Sequence, residues 1–165
     1  MDGSVEQLLM LTAEVAIATV ALSGITMILA ISHLGLTFEK VASISAQLNM
    51  ASVVAVFAMI PLFLDQLDIT QAVLWRTAST VYLVFLVVLV SFGFKRARSS
   101  QKAPAMARIA VIPGISALIL LPINIWFVSA WPYLFHLLIE WVVSLMLFLV
   151  FIRGILNDKI SQGGT

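Results

Sequence analysis

The stretch WPYLFHLLIEWVVSLMLFLVFI, from Trp131 to Ile152, decides the fold. A helix needs about 20 mostly apolar residues to cross the hydrocarbon core of a bilayer, and this run is long and apolar enough to do so. The same run carries His136 and Glu140, four residues apart, and ionisable groups are costly inside lipid. The stretch therefore predicts a membrane-spanning helix and raises the question of what its two ionisable side chains do.

The composition extends this interpretation to the whole chain. Of 165 residues, 62% are hydrophobic and 10% are charged, and the mean hydropathy is +1.12, whereas an average soluble domain is about half apolar and a quarter charged. A net charge of +1 argues against a nucleic-acid partner, and the absence of cysteine excludes disulfides, thiolate metal sites and cysteine nucleophiles. We expect one integral-membrane domain over residues 1–165, with the lipid bilayer as its main partner.

Five runs meet the length rule for a membrane span. They are continuous and long, which favours helices over the short alternating strands of a barrel. The connections are short apart from one basic loop, so neighbouring spans are expected to pack as antiparallel hairpins. The predicted fold is an all-α membrane protein, a bundle of about five transmembrane helices at roughly 8–32, 43–64, 72–94, 107–128 and 131–152.

The distribution of charge predicts the orientation. The loop KRARSSQKAPAMAR between the third and fourth spans has five cations and no acid, so the positive-inside rule places it in the cytoplasm. By alternation the N-terminus lies outside and the C-terminus lies in the cytoplasm. Contact with anionic lipid headgroups is a natural additional role for the loop. Its five cations are Lys95, Arg96, Arg98, Lys102 and Arg108.

Small residues follow one narrow face of the first span, at spacings of four and three. Such a face lets two helix backbones approach closely in lipid. Two interpretations stay open: packing within the bundle, or contact with a second subunit. Glu14 lies about 200° around the helix, close to Ala18 and Ala21, so this helix is expected to be contacted on both sides. The small-residue seam consists of Thr12, Ala16, Thr19, Ser23, Thr26 and Ala30.

Five strongly polar side chains are predicted in the outer half of the spans, and groups at that depth need partners. We expect these side chains to lie close together and to be one another's partners. Glu14 and Arg76 have similar predicted depths, which favours an ion pair, although both side chains can also reach the outer interface on their own. The candidate cluster consists of Glu14, Arg76, Asn124, His136 and Glu140.

In the last span a polar stripe is formed by Tyr133, His136, Glu140 and Ser144, because positions four apart share a helix face. A carboxyl group beside an imidazole suits a proton relay, and a structural hydrogen-bonded pair is the alternative. One histidine and one glutamate are too few ligands for a closed zinc site, so no metal and no cofactor is predicted. The stripe is expected to face into the bundle, against Asn124.

Several short stretches together carry a resemblance: VAIATVALSGITMILA in the first span, FEKVASI and IPLFLDQL around the second, LWRTAS in the third and WPYLFHLLIEW in the last. Their spacing of Pro, Trp and Arg among apolar residues resembles a loosely defined group of small, uncharacterised bacterial multi-pass membrane proteins. The resemblance implies a location in the bacterial inner membrane and no known activity. His136 and Glu140 are not features of that group.

Two functions follow as expectations. The first is a non-enzymatic inner-membrane protein that acts as a packing or assembly subunit with itself or with another membrane protein, because of the small-residue seam. The alternative is a small proton-linked transporter or ion conduit that uses the polar residues of the outer half. No nucleophile with an adjacent base is recognisable, so an enzyme is not predicted.

Overall fold

Five α-helices make up the described backbone. The computed structural model describes the backbone of residues 1–34, 38–98 and 104–162, and the side chains of residues 1–30, 32, 44–89, 91, 112–155 and 157. The helices are α1 (Gly3–Leu34), α2 (Phe38–Asp65), α3 (Gln71–Arg98), α4 (Pro104–Phe127) and α5 (Ala130–Gln162), and no strand occurs within the described backbone. The predicted all-α fold is confirmed.

Four of these helices have described portions that are long and apolar enough to cross a membrane. They are Gly3–Ala30, Ile44–Asp65, Gln71–Leu89 and Ala130–Ile155. Each coincides with a predicted span. The described apolar part of α4, Ile112–Phe127, is shorter than these four. The chain is therefore a multi-pass helical membrane protein with at least four candidate spans.

The first helix begins five residues before the predicted span. Asp2 explains this difference, because its Oδ1 accepts the backbone N–H of Ser4 at 3.3 Å and its backbone oxygen accepts those of Val5 and Glu6 at 3.0 and 3.1 Å. Free N–H groups in the first turn need such acceptors. The polar residues before Leu8 therefore extend the helix beyond its apolar part.

One end of the bundle collects several helix termini. The amino nitrogen of Met1 lies 3.0 Å from Asp65 Oδ1, and Gln71 Nε2 donates to the same oxygen at 3.3 Å. The start of α1, the end of α2 and the start of α3 therefore lie together. Near this end, Arg76 Nε donates to the backbone oxygen of Ile125 at 3.2 Å and so connects α3 to the end of α4. We call this side of the molecule the Met1 end.

The core lies mainly in the half of the bundle nearest the Met1 end. Helix α2 packs against α1, α3 and α5, and α4 packs against α3 and α5. The core combines small side chains such as Ala16 and Ala58 with aromatic side chains such as Phe57 and Tyr82. A smaller cluster of Ala30, Ile44 and Phe151 joins α1, α2 and α5 towards the opposite end.

The small-residue seam of α1 faces the inside of this bundle. Ala16, Thr19, Ser23 and Ala30 are buried, and Thr12 and Thr26 are half-buried. Its four hydroxyl groups donate to backbone oxygens four residues earlier, so they need no partner from another helix. The side chain of Trp141 in α5 also approaches the seam, with Nε1 3.4 Å from Thr19 Oγ1. The seam is therefore an intrachain packing surface.

The turn between α4 and α5 is held by one asparagine. Asn124 Oδ1 accepts the backbone N–H of Ser129 at 2.9 Å, while Asn124 Nδ2 donates to Ser79 Oγ in α3 at 2.8 Å. Val128 within this turn has a φ of 54°, a left-handed conformation that is strained for a β-branched residue. Asn124 therefore stabilises a turn in which Val128 is strained, and it attaches this turn to α3.

Replacing Asn124 by alanine is expected to lower the free energy of unfolding by about 1–3 kcal/mol, because it leaves the buried hydroxyl of Ser79 and the partly buried N–H of Ser129 without their partner. Thermal unfolding of the detergent-solubilised protein measures the loss. Ile123→Ala is the matched control, since Ile123 is exposed in the adjacent position. An Asn124→Ala protein that unfolds at the wild-type temperature would show that the turn does not depend on these hydrogen bonds.

Candidate functional site

Glu140 and His136 lie together on the inward face of α5. Their exposed fractions are 3% and 0%. Glu140 is ten residues after Ala130, the first residue of the helix, which corresponds to about 15 Å along the axis at 1.5 Å per residue. This is about half of a 30 Å hydrocarbon core. The carboxyl group is therefore enclosed by protein near the middle of the span.

Tyr82 of α3 binds the carboxyl group. Its hydroxyl donates a hydrogen bond to Glu140 Oε2. The phenol ring is fully buried, stacks on Phe57 of α2 with ring centroids 3.9 Å apart, and meets the edge of Tyr133 at 5.6 Å. Aromatic packing from two other helices thus fixes the hydroxyl where it can stabilise a negative charge on Glu140.

Ser116 of α4 binds the imidazole at Nδ1. Ser116 Oγ lies 2.9 Å from His136 Nδ1 and 2.9 Å from the backbone oxygen of Pro113. A hydroxyl group has a single proton to donate, so Ser116 either donates to Pro113 and accepts from His136, or donates to His136. In the first arrangement neutral His136 carries its proton on Nδ1 and Nε2 offers a lone pair, and in the second its proton is on Nε2.

The other ring nitrogen, Nε2, faces the carboxyl group. His136 Nε2 lies 3.9 Å from Glu140 Oε1, and among the described residues Nε2 has no hydrogen-bond partner. Because Tyr82 already donates to Oε2, the proton of a neutral Glu140 belongs on Oε1, the oxygen nearest the imidazole. Glu140 Oε1 and His136 Nε2 therefore form a potential donor–acceptor pair for a proton, at a distance slightly longer than that of a hydrogen bond.

The predicted polar stripe of α5 continues on both sides of this pair. Tyr133 donates to the backbone oxygen of Phe57 at 2.7 Å, and Ser144 donates to the backbone oxygen of Gln47 at 3.1 Å. The Gln47 side chain is fully buried, and neither of its polar atoms has a hydrogen-bond partner within the described residues. The stripe therefore attaches α5 to α2 as well as carrying the ionisable pair.

The predicted ion pair between Glu14 and Arg76 is wrong. Both side chains are exposed within the described chain, no ion pair joins them there, and Arg76 binds Ile125 instead. Depth explains the error. Glu14 lies eleven residues after Gly3, about 16 Å along α1, whereas Arg76 lies five residues after Gln71, about 8 Å along α3.

The expected packing of the pair against Asn124 is also wrong. Asn124 is buried, but it binds Ser79 and Ser129 in the turn, two helical turns from Ser116. The neighbours of the pair are Tyr82 and Ser116. Of the five predicted polar residues, the structure brings only His136 and Glu140 into one site. The basic residues Lys95, Arg96, Arg98, Lys102 and Arg108 have side chains outside the described residues.

Sequence reasoning missed Tyr82 and Ser116. A signal for Tyr82 was present, because tyrosines of membrane proteins concentrate at the lipid interface, whereas Tyr82 lies ten residues inside the third predicted span. Ser116 has no comparable signal, since serine is common in membrane helices. In the described part of the chain no group of three histidine, cysteine, aspartate or glutamate side chains is placed to hold a metal.

These features define a class: a multi-pass helical membrane protein with a carboxyl–imidazole pair enclosed between three helices. Comparison of the chain with protein-family models, with curated proteins and with solved structures finds no match. The resemblance to small bacterial membrane proteins therefore stays a prediction, and the geometry of the site is the basis for a proposal about function.

Proposed function

We propose that the protein is a proton-linked membrane transporter or conduit in which Glu140 and His136 bind and exchange a proton. The observation that carries the proposal is the 3.9 Å approach of Glu140 Oε1 to His136 Nε2, an atom without a hydrogen-bond partner among the described residues. Both side chains are enclosed near the middle of the span.

The elementary step is a single proton transfer. The O–H bond of Glu140 at Oε1 breaks and an N–H bond forms at His136 Nε2, which leaves a carboxylate and an imidazolium. Tyr82 already donates to the other carboxylate oxygen, and the imidazolium keeps its Nδ1–H bond to Ser116. A small approach of the two side chains, or one water molecule between them, completes the path. Both charged products are therefore stabilised by groups that are in place before the transfer.

The energetic cost of enclosing Glu140 and His136 within a membrane span favours a functional role over a purely structural one. Ionisable groups inside a span are expensive and usually mark ion or proton pathways, and well-packed apolar side chains hold helices together equally well. The alternative is a permanently neutral pair that joins α5 to α3 and α4. That alternative gives no reason for the unpartnered Nε2 atom.

The other expectation, a packing or assembly subunit, was based on the small-residue seam. Because the seam residues are buried within the chain, they support the internal packing of α1 rather than contact with a second protein. An assembly role needs a different surface, and proton-linked transport is the function that the geometry supports best.

The threading that we propose has all five helices crossing the membrane as antiparallel hairpins. The Met1 end lies outside and the basic loop of five cations lies in the cytoplasm, as the positive-inside rule requires. The exposed aromatic side chains Trp126, Phe127 and Trp131 support an interfacial position for the Met1 end. In line with the bacterial resemblance, the proposed location is the inner membrane, where the loop would contact anionic headgroups.

Cysteine labelling tests the threading directly, because the chain has no cysteine of its own. In intact cells, Gln66→Cys in the α2–α3 connection is expected to react with a membrane-impermeant maleimide. Ser99→Cys in the basic loop is expected to react only after permeabilisation. The two variants control for each other, and the opposite labelling pattern would reverse the proposed orientation.

Reconstitution tests the function. Proteoliposomes with a pH-sensitive dye inside are expected to show proton flux above that of protein-free liposomes when a pH gradient and a counter-ion pathway are supplied. Co-transport of a solute would appear as flux that depends on that solute. Flux equal to the protein-free control over a range of gradients and candidate solutes would contradict the proposal.

A further inference from the structure

A layer of buried polar side chains separates the two hydrophobic clusters of the bundle. On α2, Gln47 lies between Val54 of the main core and Ile44 of the smaller cluster. The other members lie between the same two clusters on α1 and α5, and all of them are buried. This set, which we call the Gln47 layer, consists of Thr19, Ser23, Gln47 and Ser144.

Contacts between helices bring the layer to one level of the bundle, close to the enclosed carboxyl group. Trp141 Nε1 of α5 lies 3.4 Å from Thr19 Oγ1 of α1, and Ser144 Oγ donates to the backbone oxygen of Gln47 at 3.1 Å. Ser144 follows Glu140 by one turn on the same face of α5. The layer therefore continues the polar interior from Glu140 towards the smaller hydrophobic cluster.

The side-chain amide of Gln47 needs partners that its neighbours do not supply. It is fully buried, and neither Oε1 nor Nε2 has a hydrogen-bond partner among the described residues. Asn124, an equally buried amide, has protein partners at both its oxygen and its nitrogen. Leaving a buried donor or acceptor unsatisfied costs free energy, and an ordered water, which makes about three hydrogen bonds to buried polar groups, normally removes that cost.

We propose that Gln47 binds water inside the bundle and that this water carries protons between Glu140 and the end of the bundle opposite the Met1 end. The second part rests on the proposed function. The chemistry of the amide favours water as the ligand, because water both donates and accepts, as the N–H groups and the oxygen of Gln47 require. A cation would bind the oxygen and leave Nε2 without an acceptor.

Two hydroxyl groups of the layer supply further partners for water. Ser23 donates its proton to the backbone oxygen of Thr19, and Ser144 donates its proton to that of Gln47. Each hydroxyl oxygen can still accept a hydrogen bond. A buried water needs two to four polar partners, and the layer offers that number.

The polar side chains nearer the Met1 end offer no comparable site. Ser79 and Asn124 are buried there and bind each other. The unpartnered amide lies on the opposite side of Glu140, so we place the water route on that side. In each step a water molecule gives one proton to the Glu140 carboxylate, where a new O–H bond forms, and regains a proton from the next water along the route.

Solid-state NMR of the labelled wild-type protein in deuterated lipid bilayers tests the water site. Magnetisation transferred from water is expected to reach the Gln47 side-chain N–H groups nearly as fast as those of Gln71, which is exposed. The Asn124 amide is the matched control, because it is buried but bound to protein. Its transfer is expected to be several-fold slower.

Proton flux in proteoliposomes tests the route. Gln47→Met keeps the length of the side chain but removes its hydrogen-bonding groups, and it is expected to lower the flux at least several-fold. Asn49→Met is the control, because it makes a similar change at an exposed position of the same helix. Its flux is expected to equal that of the wild type, and circular dichroism establishes that both variants are folded.

Two results would overturn the proposal. Water transfer to Gln47 as slow as to Asn124 would mean that the amide is bound by side chains outside the described residues. Wild-type flux in a folded Gln47→Met protein would remove the layer from the proton route. A wild-type protein without flux would instead contradict the proposed function and the route with it, whereas fast water transfer to Gln47 would still establish the water site.

Discussion

Glu140→Gln is expected to abolish proton flux while leaving the fold intact. Glutamine has almost the same shape as glutamic acid, can accept the hydrogen bond from Tyr82, and can offer an N–H to His136. It cannot release a proton to Nε2. We therefore expect flux at the level of protein-free liposomes, together with a thermal unfolding temperature close to that of the wild type.

Glu6→Gln is the control for this variant, because it makes the same chemical change in the first turn of α1, away from the enclosed pair. Its flux is expected to equal that of the wild type. If Glu140→Gln conducts protons as well as the wild type does, Glu140 is not part of the pathway and the pair is structural. If it unfolds instead, flux through Glu140→Asp, which keeps an exchangeable proton on a shorter side chain, supplies the decisive comparison.

Ser23→Leu is expected to cause a large loss of stability. Ser23 is 1% exposed in the seam, where its hydroxyl donates to Thr19 O at 2.7 Å, and α1 packs closely on α2. Leucine adds bulk where no space exists, and overpacking a well-packed site costs about 1–3 kcal/mol and occasionally more. The free energy of unfolding in mixed micelles is the measurement.

Ser23→Ala is the matched control at the same position. It removes an intrahelical hydrogen bond but adds no volume, so its stability is expected to lie close to that of the wild type. The effect of Ser23→Leu should also be independent of protein dilution, because the seam joins helices of one chain. Wild-type stability in Ser23→Leu would mean that the seam faces lipid rather than α2.

The helices were predictable from the sequence because span length is set by the thickness of the bilayer. Four predicted spans match apolar helices of the structure. The first boundary failed because hydropathy detects the apolar run, whereas Asp2 starts the helix earlier through its capping hydrogen bonds. The small-residue face was also predictable from its spacing, but the side of the bundle to which it turned was not.

Only the part of the site that lies within one helix, the His136–Glu140 pair of α5, was predictable from the sequence. His136 and Glu140 share a face because they are four residues apart, a local property. Tyr82 and Ser116 reach them from α3 and α4, 58 and 20 positions away in sequence, and one sequence does not reveal how helices rotate against each other. The Glu14–Arg76 error has a different origin, since depth was judged from the ends of the apolar runs rather than from the helix termini.

The single proton of the Ser116 hydroxyl has a kinetic consequence. If that proton points to the backbone oxygen of Pro113, His136 can exchange a proton at Nε2, whereas Ser116 only accepts a hydrogen bond from Nδ1. Under the proposed function, the pair would then gain and lose protons on the Glu140 side only. Rotation about the Cβ–Oγ bond of Ser116 would turn the hydroxyl away from Pro113 and allow proton transfer at His136 Nδ1 as well. One side-chain torsion would then decide whether protons pass through the pair or return on the side from which they came.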